Sequence, residues 1–224
     1  MFAKLYLLTY NGTMLAGWTT TLFKILQHLI SGGNVADAYG LVSQLLVVFQ
    51  SGAVLEVLHS LFGLVRSPVS TTFIQVLSRL LVLFGALEIG PSAARTSLLA
   101  VQMIVAWCLA EIIRYAFYVG NLAGVKTQLL TWLRYSAFTV LYPMGISGEI
   151  ACFWNALPYI RVNKPWTMEL PNQYNWCFSW YHTVWFLLLF AYPAGSYVMY
   201  SHMLRQRAKV LCSQKPQGEK EKTA

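Results

Sequence analysis

Apolar residues recur along this chain in six long runs, roughly 5–29, 40–64, 69–89, 96–119, 127–157 and 176–203. A helix needs about 20 mostly apolar residues to cross a bilayer, and each run has that reach. The breaks between them are short and hold turn-formers: Ser31-Gly32-Gly33-Asn34, Ser67-Pro68, Gly90-Pro91-Ser92, Asn121 to Gly124, and Asn163 to Asn172. No internal repeat and no water-soluble domain interrupts the series. The pattern predicts an all-α membrane protein, a six-transmembrane-helix bundle over residues 1–204, with a basic tail lacking fixed structure over 205–224.

Composition strengthens this reading. Charged residues make up 11% of the chain and apolar ones 57%, whereas average soluble domains carry about 25% charged residues. The net charge of +8 does not point to nucleic acid. Six of the sixteen basic residues (Arg205, Arg207, Lys209, Lys215, Lys220 and Lys222) crowd the last twenty positions, and the rest are scattered singly. The tail suits a face of lipid headgroups. The cysteines Cys108, Cys152, Cys177 and Cys212 form no CxxC pair, and the four histidines are far apart. Neither a disulfide framework nor a metal site is expected.

The first run lacks a short apolar segment followed by a small-residue cleavage site, so it is expected to act as the insertion signal itself. An even number of spans puts both termini on one side. That side would carry Lys4, Arg66, Lys126 and the six tail residues, against Arg95, Arg161 and Lys164 opposite, with Lys24 at a helix end. By the positive-inside rule both termini are cytosolic. The chain ends Lys-Glu-Lys-Thr-Ala, a spacing that resembles the dilysine signal returning membrane proteins to the endoplasmic reticulum.

Ionisable residues at membrane depth are costly and face a bundle interior. Here they are Glu56 with His59, Arg79, Glu111 with Arg114, Arg134 and Glu149. Glu111 and Arg114, at i and i+3, can pair on one face and act as structural glue. Tyr142 and Glu149 stand seven residues apart, close to two turns, and share a face. Pro143 is expected to kink the helix beside the tyrosine. Gly145 and Ser147-Gly148 leave a trough between the phenol and the carboxyl. Such a trough can admit a flexible chain, and equally can serve as a helix-packing surface.

Five stretches carry a family resemblance: V-L-E-V-L-H-S-L-F-G-L-V-R-S-P-V-S (54–70), A-E-I-I-R-Y-A-F-Y (110–118), W-L-R-Y-S (132–136), L-Y-P-M-G-I-S-G-E (141–149) and L-P-Y-I (157–160). Through them, from about residue 5 to 210, the chain resembles the 3-hydroxyacyl-CoA dehydratases of very-long-chain fatty-acid elongation, also called the protein tyrosine phosphatase-like family. The resemblance implies a six-span protein of the endoplasmic reticulum membrane with cytosolic termini. It implies dehydration of (3R)-3-hydroxyacyl-CoA to trans-2-enoyl-CoA, with the catalytic tyrosine and glutamate falling on Tyr142 and Glu149. An acyl-CoA substrate, membrane lipid, and the condensing enzyme and two reductases of the elongation cycle are the implied partners. The elimination is redox-neutral, so no cofactor is expected. Cytosolic-side bases such as Arg66, Lys126 and Arg134 would suit the polyanionic CoA.

The reaction removes a proton from the carbon next to the carbonyl and protonates the departing hydroxyl on the following carbon. Glu149 suits the base. Tyr142, a phenol with an ordinary pKa of about 10, suits the donor, although the reverse assignment fits the same chemistry. Seven residues of straight helix separate the two Cα atoms by about 10 Å along the axis, a gap that side-chain reach must close. A non-catalytic membrane scaffold is the alternative from another class, and the presence of both members of the pair weighs against it. A transporter built from two related halves lacks support, since mid-run prolines occur only at Pro143 and Pro193 and no symmetry relates the halves. The stretch His59 to Ser67 imitates a phosphatase loop, but Ser60 stands where that chemistry needs a low-pKa thiolate. The Asn11-Gly12-Thr13 sequon, on the cytosolic side, is expected to be silent.

Overall fold

A computed structural model describes residues 2–90, 92–125 and 127–212. Among these residues the chain is all helix, apart from turns and one antiparallel bridge between Met168 and Phe178. The first run becomes α1 (Phe2–Ile30). Its buried residues Leu7, Asn11, Met14, Trp18, Thr21 and Ile25 recur at spacings of three and four, a stripe that seats α1 on its neighbours. Asn34 opens α2 (Val35–Gly52) by accepting the amide of Ala36 at 3.0 Å, and α3 (Val54–Leu61) follows after Ala53. The fourth helix, α4 (Val69–Val82), passes into a π-helical turn at Leu83–Leu87. After the short α5 (Ala93–Thr96) comes α6 (Leu98–Ala123), capped by Ser97 at its start and ended by Gly124 with φ of 85°.

The fifth run divides. Helix α7 (Gln128–Ser136) stops at Ala137, and α8 (Phe138–Asn163) carries both Pro143 and Pro158 inside it. The interruption therefore lies at Ala137, ahead of Tyr142. Thr139, whose carbonyl Pro143 leaves without its helical partner, turns its hydroxyl back to the Ser136 carbonyl at 2.8 Å. The sixth run starts at Trp180 rather than at 176. It comprises α9 (Trp180–Phe186), a second π-helical turn (Leu187–Ala191) and α10 (Tyr192–Cys212). Helix α10 continues through Arg205 to Cys212, so the first eight residues of the expected tail are helical. Lys126 and the tail from 213, with Lys215 and the Lys220–Lys222 spacing, lie outside the described residues.

Among the described residues, four helical segments are long and apolar enough to cross a membrane: Val35–Leu61, Val69–Leu87, Leu98–Ala123 and Trp180–Val210. Helix α1 and the α7–α8 pair have the length but are diluted by polar residues, threonines and Lys24 in one, Arg134, Glu149 and two prolines in the other. Helix α6 is the centre of the bundle, buried along one side from Ala100 to Tyr115 and packed by α1, α2, α7 and α8. Glycine makes the closest of these approaches. A Cβ on Gly148 would lie 2.4 Å from the Met103 Cβ and 2.6 Å from the Leu99 carbonyl oxygen, so α8 meets α6 there backbone to backbone.

Candidate active site

The closeness of α6 and α8 sets a tryptophan against a glutamate. The indole Nε1 of Trp107 on α6 donates to Oε1 of the buried Glu149 on α8 at 3.0 Å. The other carboxylate oxygen accepts from the hydroxyl of Tyr192 at 2.9 Å. Tyr192 is the first residue of α10, directly after the π-helical turn, a departure from regular helix of the kind that recurs at functional sites. Both oxygens of Glu149 are thus held by neutral donors from two other elements.

Tyr142 lies half-buried toward the opposite end of the same α8 face, its ring stacked on Tyr200 of α10 with centroids 5.9 Å apart. It makes no hydrogen bond to Glu149; the phenol beside that carboxylate is Tyr192. Tyr142 and Glu149 nevertheless line one cavity of about 420 Å³, with Trp107, Tyr192 and Gly145. A Cβ on Gly145 would find nothing nearer than the Trp107 ring at 3.9 Å. The small residues of α8 therefore serve two ends: Gly148 packs helices, and Gly145 opens the cavity.

A chain of ion pairs forms part of the wall of this cavity. Arg79 on α4 pairs with Glu111, and Arg114 reaches both Glu111 (Nε to Oε2, 2.8 Å) and Glu56 (Nη2 to Oε1, 2.9 Å). The Tyr115 hydroxyl also donates to Glu56. The expected Glu111–Arg114 pair is present, and the sequence spacing could not reveal that Arg79 and Glu56 complete it from distant elements. Arg79 further stacks its guanidinium over the Trp107 ring, 5.6 Å from the centroid, which couples the charged chain to the tryptophan holding Glu149.

The remaining sequence candidates fall apart. His59 does not meet Glu56; its Nε2 shares a 2.8 Å hydrogen bond with the Tyr6 hydroxyl and its ring lies edge-on to Tyr10. Ser60 donates its hydroxyl to the Ser67 carbonyl at 2.5 Å, which closes the loop that imitates a phosphatase. Asn11, of the Asn11-Gly12-Thr13 sequon, is buried and donates to the Leu7 carbonyl. Of the bases proposed for CoA, Arg134 lines the cavity, while Arg66 is exposed on the α3–α4 loop. Among the described residues no group of histidine, cysteine, aspartate and glutamate could hold a metal ion.

Trp107 and Tyr192 escaped the sequence reading, because indoles and phenols in apolar runs look like core. Their one signal is position: Trp107 is a full turn before Glu111 on α6, and Tyr192 precedes a mid-run proline.

No solved structure matches the chain. A family model described as "Protein tyrosine phosphatase-like protein, PTPLA" matches residues 50–213. The chain is 39% identical over 215 residues to the very-long-chain (3R)-3-hydroxyacyl-CoA dehydratase PASTICCINO 2 of Arabidopsis thaliana, covering 95% of both chains. It is 38% identical over 213 residues to PASTICCINO 2A of Oryza sativa subsp. japonica, again covering 95% of both. Very-long-chain (3R)-3-hydroxyacyl-CoA dehydratase 2 of Homo sapiens is 35% identical over 209 residues, 93% of this chain and 82% of the relative. This chain belongs to the protein tyrosine phosphatase-like family.

Proposed function

We propose that this protein dehydrates (3R)-3-hydroxyacyl-CoA to trans-2-enoyl-CoA, the third step of very-long-chain fatty-acid elongation, with Glu149 and Tyr142 as its proton-transferring pair. The observation that carries the assignment is Glu149, a buried carboxylate that faces a cavity and, among the described residues, is bonded to no cation. A scaffold has no use for such a group. An acid–base enzyme does, because the carboxylate can take a proton without first breaking an ion pair.

The substrate lies in the cavity with its second and third acyl carbons between the two side chains. Glu149 takes the proton from the carbon next to the thioester carbonyl. The electrons of that carbon–hydrogen bond become the new carbon–carbon double bond, and the carbon–oxygen bond at the next carbon breaks. Tyr142 protonates the leaving hydroxyl, which departs as water. The proton on Glu149 then returns to the phenolate through solvent, and both groups are restored. The sum is one alkene and one water, with no electron gained or lost.

The surroundings follow the same reading. The chain spans the endoplasmic reticulum membrane six times, α1 and the α7–α8 pair supplying the two crossings beyond the four most apolar ones. Both termini face the cytosol, where CoA and the condensing and reducing enzymes of the cycle are met. Arg134, at the cavity, is the base best placed for the polar part of CoA. The direct test is purified protein given 3-hydroxyacyl-CoA, with trans-2-enoyl-CoA followed by mass spectrometry; absence of that product overturns the proposal. Tags at both ends should be digested by protease added to sealed microsomes, and protection of either refutes the six-span arrangement.

A further inference from the structure

The cavity around Glu149 has a side that no helix covers. Helix α4 packs on α2, α3 and α8, and α10 packs on α7 and α8, so α8 stands between them as a back wall. The facing sides of α4 and α10 leave a slot. From α4 it is lined by Ile74, Leu77 and Leu81, and from the α10 side by Ala191, Gly195 and Met199. Spacings of three and four residues on α4, and of four and four on the other side, keep each set on one helix face. Glu149, buried, lines the same cavity.

The slot reaches the outer surface. Ile74 and Leu77 line it while remaining 57% and 39% exposed, and Gly195 on the other rim is exposed. Both walls belong to segments apolar and long enough to span a membrane, so this surface is turned to lipid. Size points the same way. A cavity of about 420 Å³ is at the scale of pockets that enclose a drug-sized ligand, about 300–1,000 Å³. A CoA thioester with a very long acyl chain does not fit inside it.

We infer that the α4–α10 slot is the acyl site, and that a long substrate threads its tail through it into the bilayer. The inference rests on the dehydratase reading. Only the carbons near the thioester are then enclosed, and the rest of the chain stays in an apolar medium. Chain length is not measured by a closed end.

Gly195 provides the test, because a Cβ built there meets no atom within 4 Å. Gly195→Leu adds apolar bulk at a slot-lining position where a Cβ meets open space, and Gly195→Ala controls for the change in helix propensity. Wild type and both variants are assayed in lipid nanodiscs with a medium-chain and a very-long-chain 3-hydroxyacyl-CoA. Gly195→Leu should shift the ratio of kcat/KM values against the longer substrate by about tenfold or more, the scale of a methylene-sized misfit in an apolar pocket. Gly195→Ala should leave the ratio within about twofold of wild type. Leu77→Trp, on the opposite wall, should repeat the shift. Equal losses at both lengths, or no loss with either bulky variant, overturn the slot while product formation keeps the dehydratase reading intact. Failure of the wild-type protein to form enoyl product from either substrate overturns both.

Discussion

Glu111 and Glu149 are both buried, both in long helices, and both line the same cavity, yet they are built into the protein in opposite ways. Glu111 is clamped by two guanidiniums, from Arg79 and Arg114, and through Arg114 is joined to Glu56. Glu149 is held by an indole and a phenol, neither of them charged. A carboxylate in a clamp of arginines cannot take a proton without stranding buried cations. One in a neutral cradle can, at the cost of rearranging hydrogen bonds. On the proposed reading, what singles out Glu149 is not burial, which Glu111 shares, but the charge of its bonded partners. Arg79 touches both regions, since it pairs with Glu111 and stacks on Trp107, which brings its charge near Glu149 without a direct bond to the carboxylate.

The comparison is broken most directly by removing each carboxylate in turn. Glu149→Gln keeps the shape and deletes the proton acceptor. Proton transfer by a positioned side chain is worth about a hundred- to ten-thousand-fold, so turnover should fall at least a hundredfold while the protein still inserts and purifies as a single species. Near-normal dehydration by this variant would sink the assignment of Glu149. Tyr142→Phe should also fall about a hundredfold. The double variant should be little worse than either single one, because groups acting as one unit fail together. A fully multiplicative loss would mean that the two residues act in separate steps.

Glu111→Gln and Arg114→Ala should act on folding instead. Breaking a buried pair by removing one partner costs about 3–5 kcal/mol. The amount of monodisperse protein recovered in mild detergent, and its thermal midpoint, should both drop sharply. A well-folded Glu111→Gln protein without turnover would erase the distinction and move the ion pairs into the catalytic machinery.

How far the sequence reveals this division depends on the range of the contact. All six apolar runs are helical, since period and length are local properties, but the breaks at Ala53 and Ala137 and the π-helical turns inside them are not legible in the pattern. The i,i+3 pairing of Glu111 with Arg114 is local too, and it is present. Arg79 and Glu56, separated from these by 32 and 58 positions, join them through tertiary packing that no spacing encodes. Trp107 and Tyr192 are hidden for the same reason. Gly145 and Gly148 illustrate a different limit. Three residues apart on one helix, they read alike in sequence, and only the neighbours of each separate a cavity wall from a packing contact. Lys24 and the threonines of α1, and the prolines of α8, lower the hydropathy of two helices whose length is that of a span, so composition marks four segments where periodicity marks six.

The smallest expected effect sharpens the comparison most. If Tyr192 only orients Glu149, then Tyr192→Phe removes one hydrogen bond to a charged group, worth about 1.5–3 kcal/mol, and kcat should fall about ten- to a hundredfold with KM unchanged. Trp107→Phe should match it, as the equivalent donor to the other oxygen. Added to Glu149→Gln, neither change should lower turnover further, because the group they orient no longer transfers a proton. A loss in Tyr192→Phe as deep as that in Glu149→Gln would carry another meaning. Tyr192, 2.9 Å from the carboxylate, would itself be the proton donor to the leaving hydroxyl, and Tyr142, with no hydrogen bond to Glu149, would keep only a part in holding the thioester. The ratio of the two tyrosine effects, measured with one substrate under one condition, decides between these arrangements.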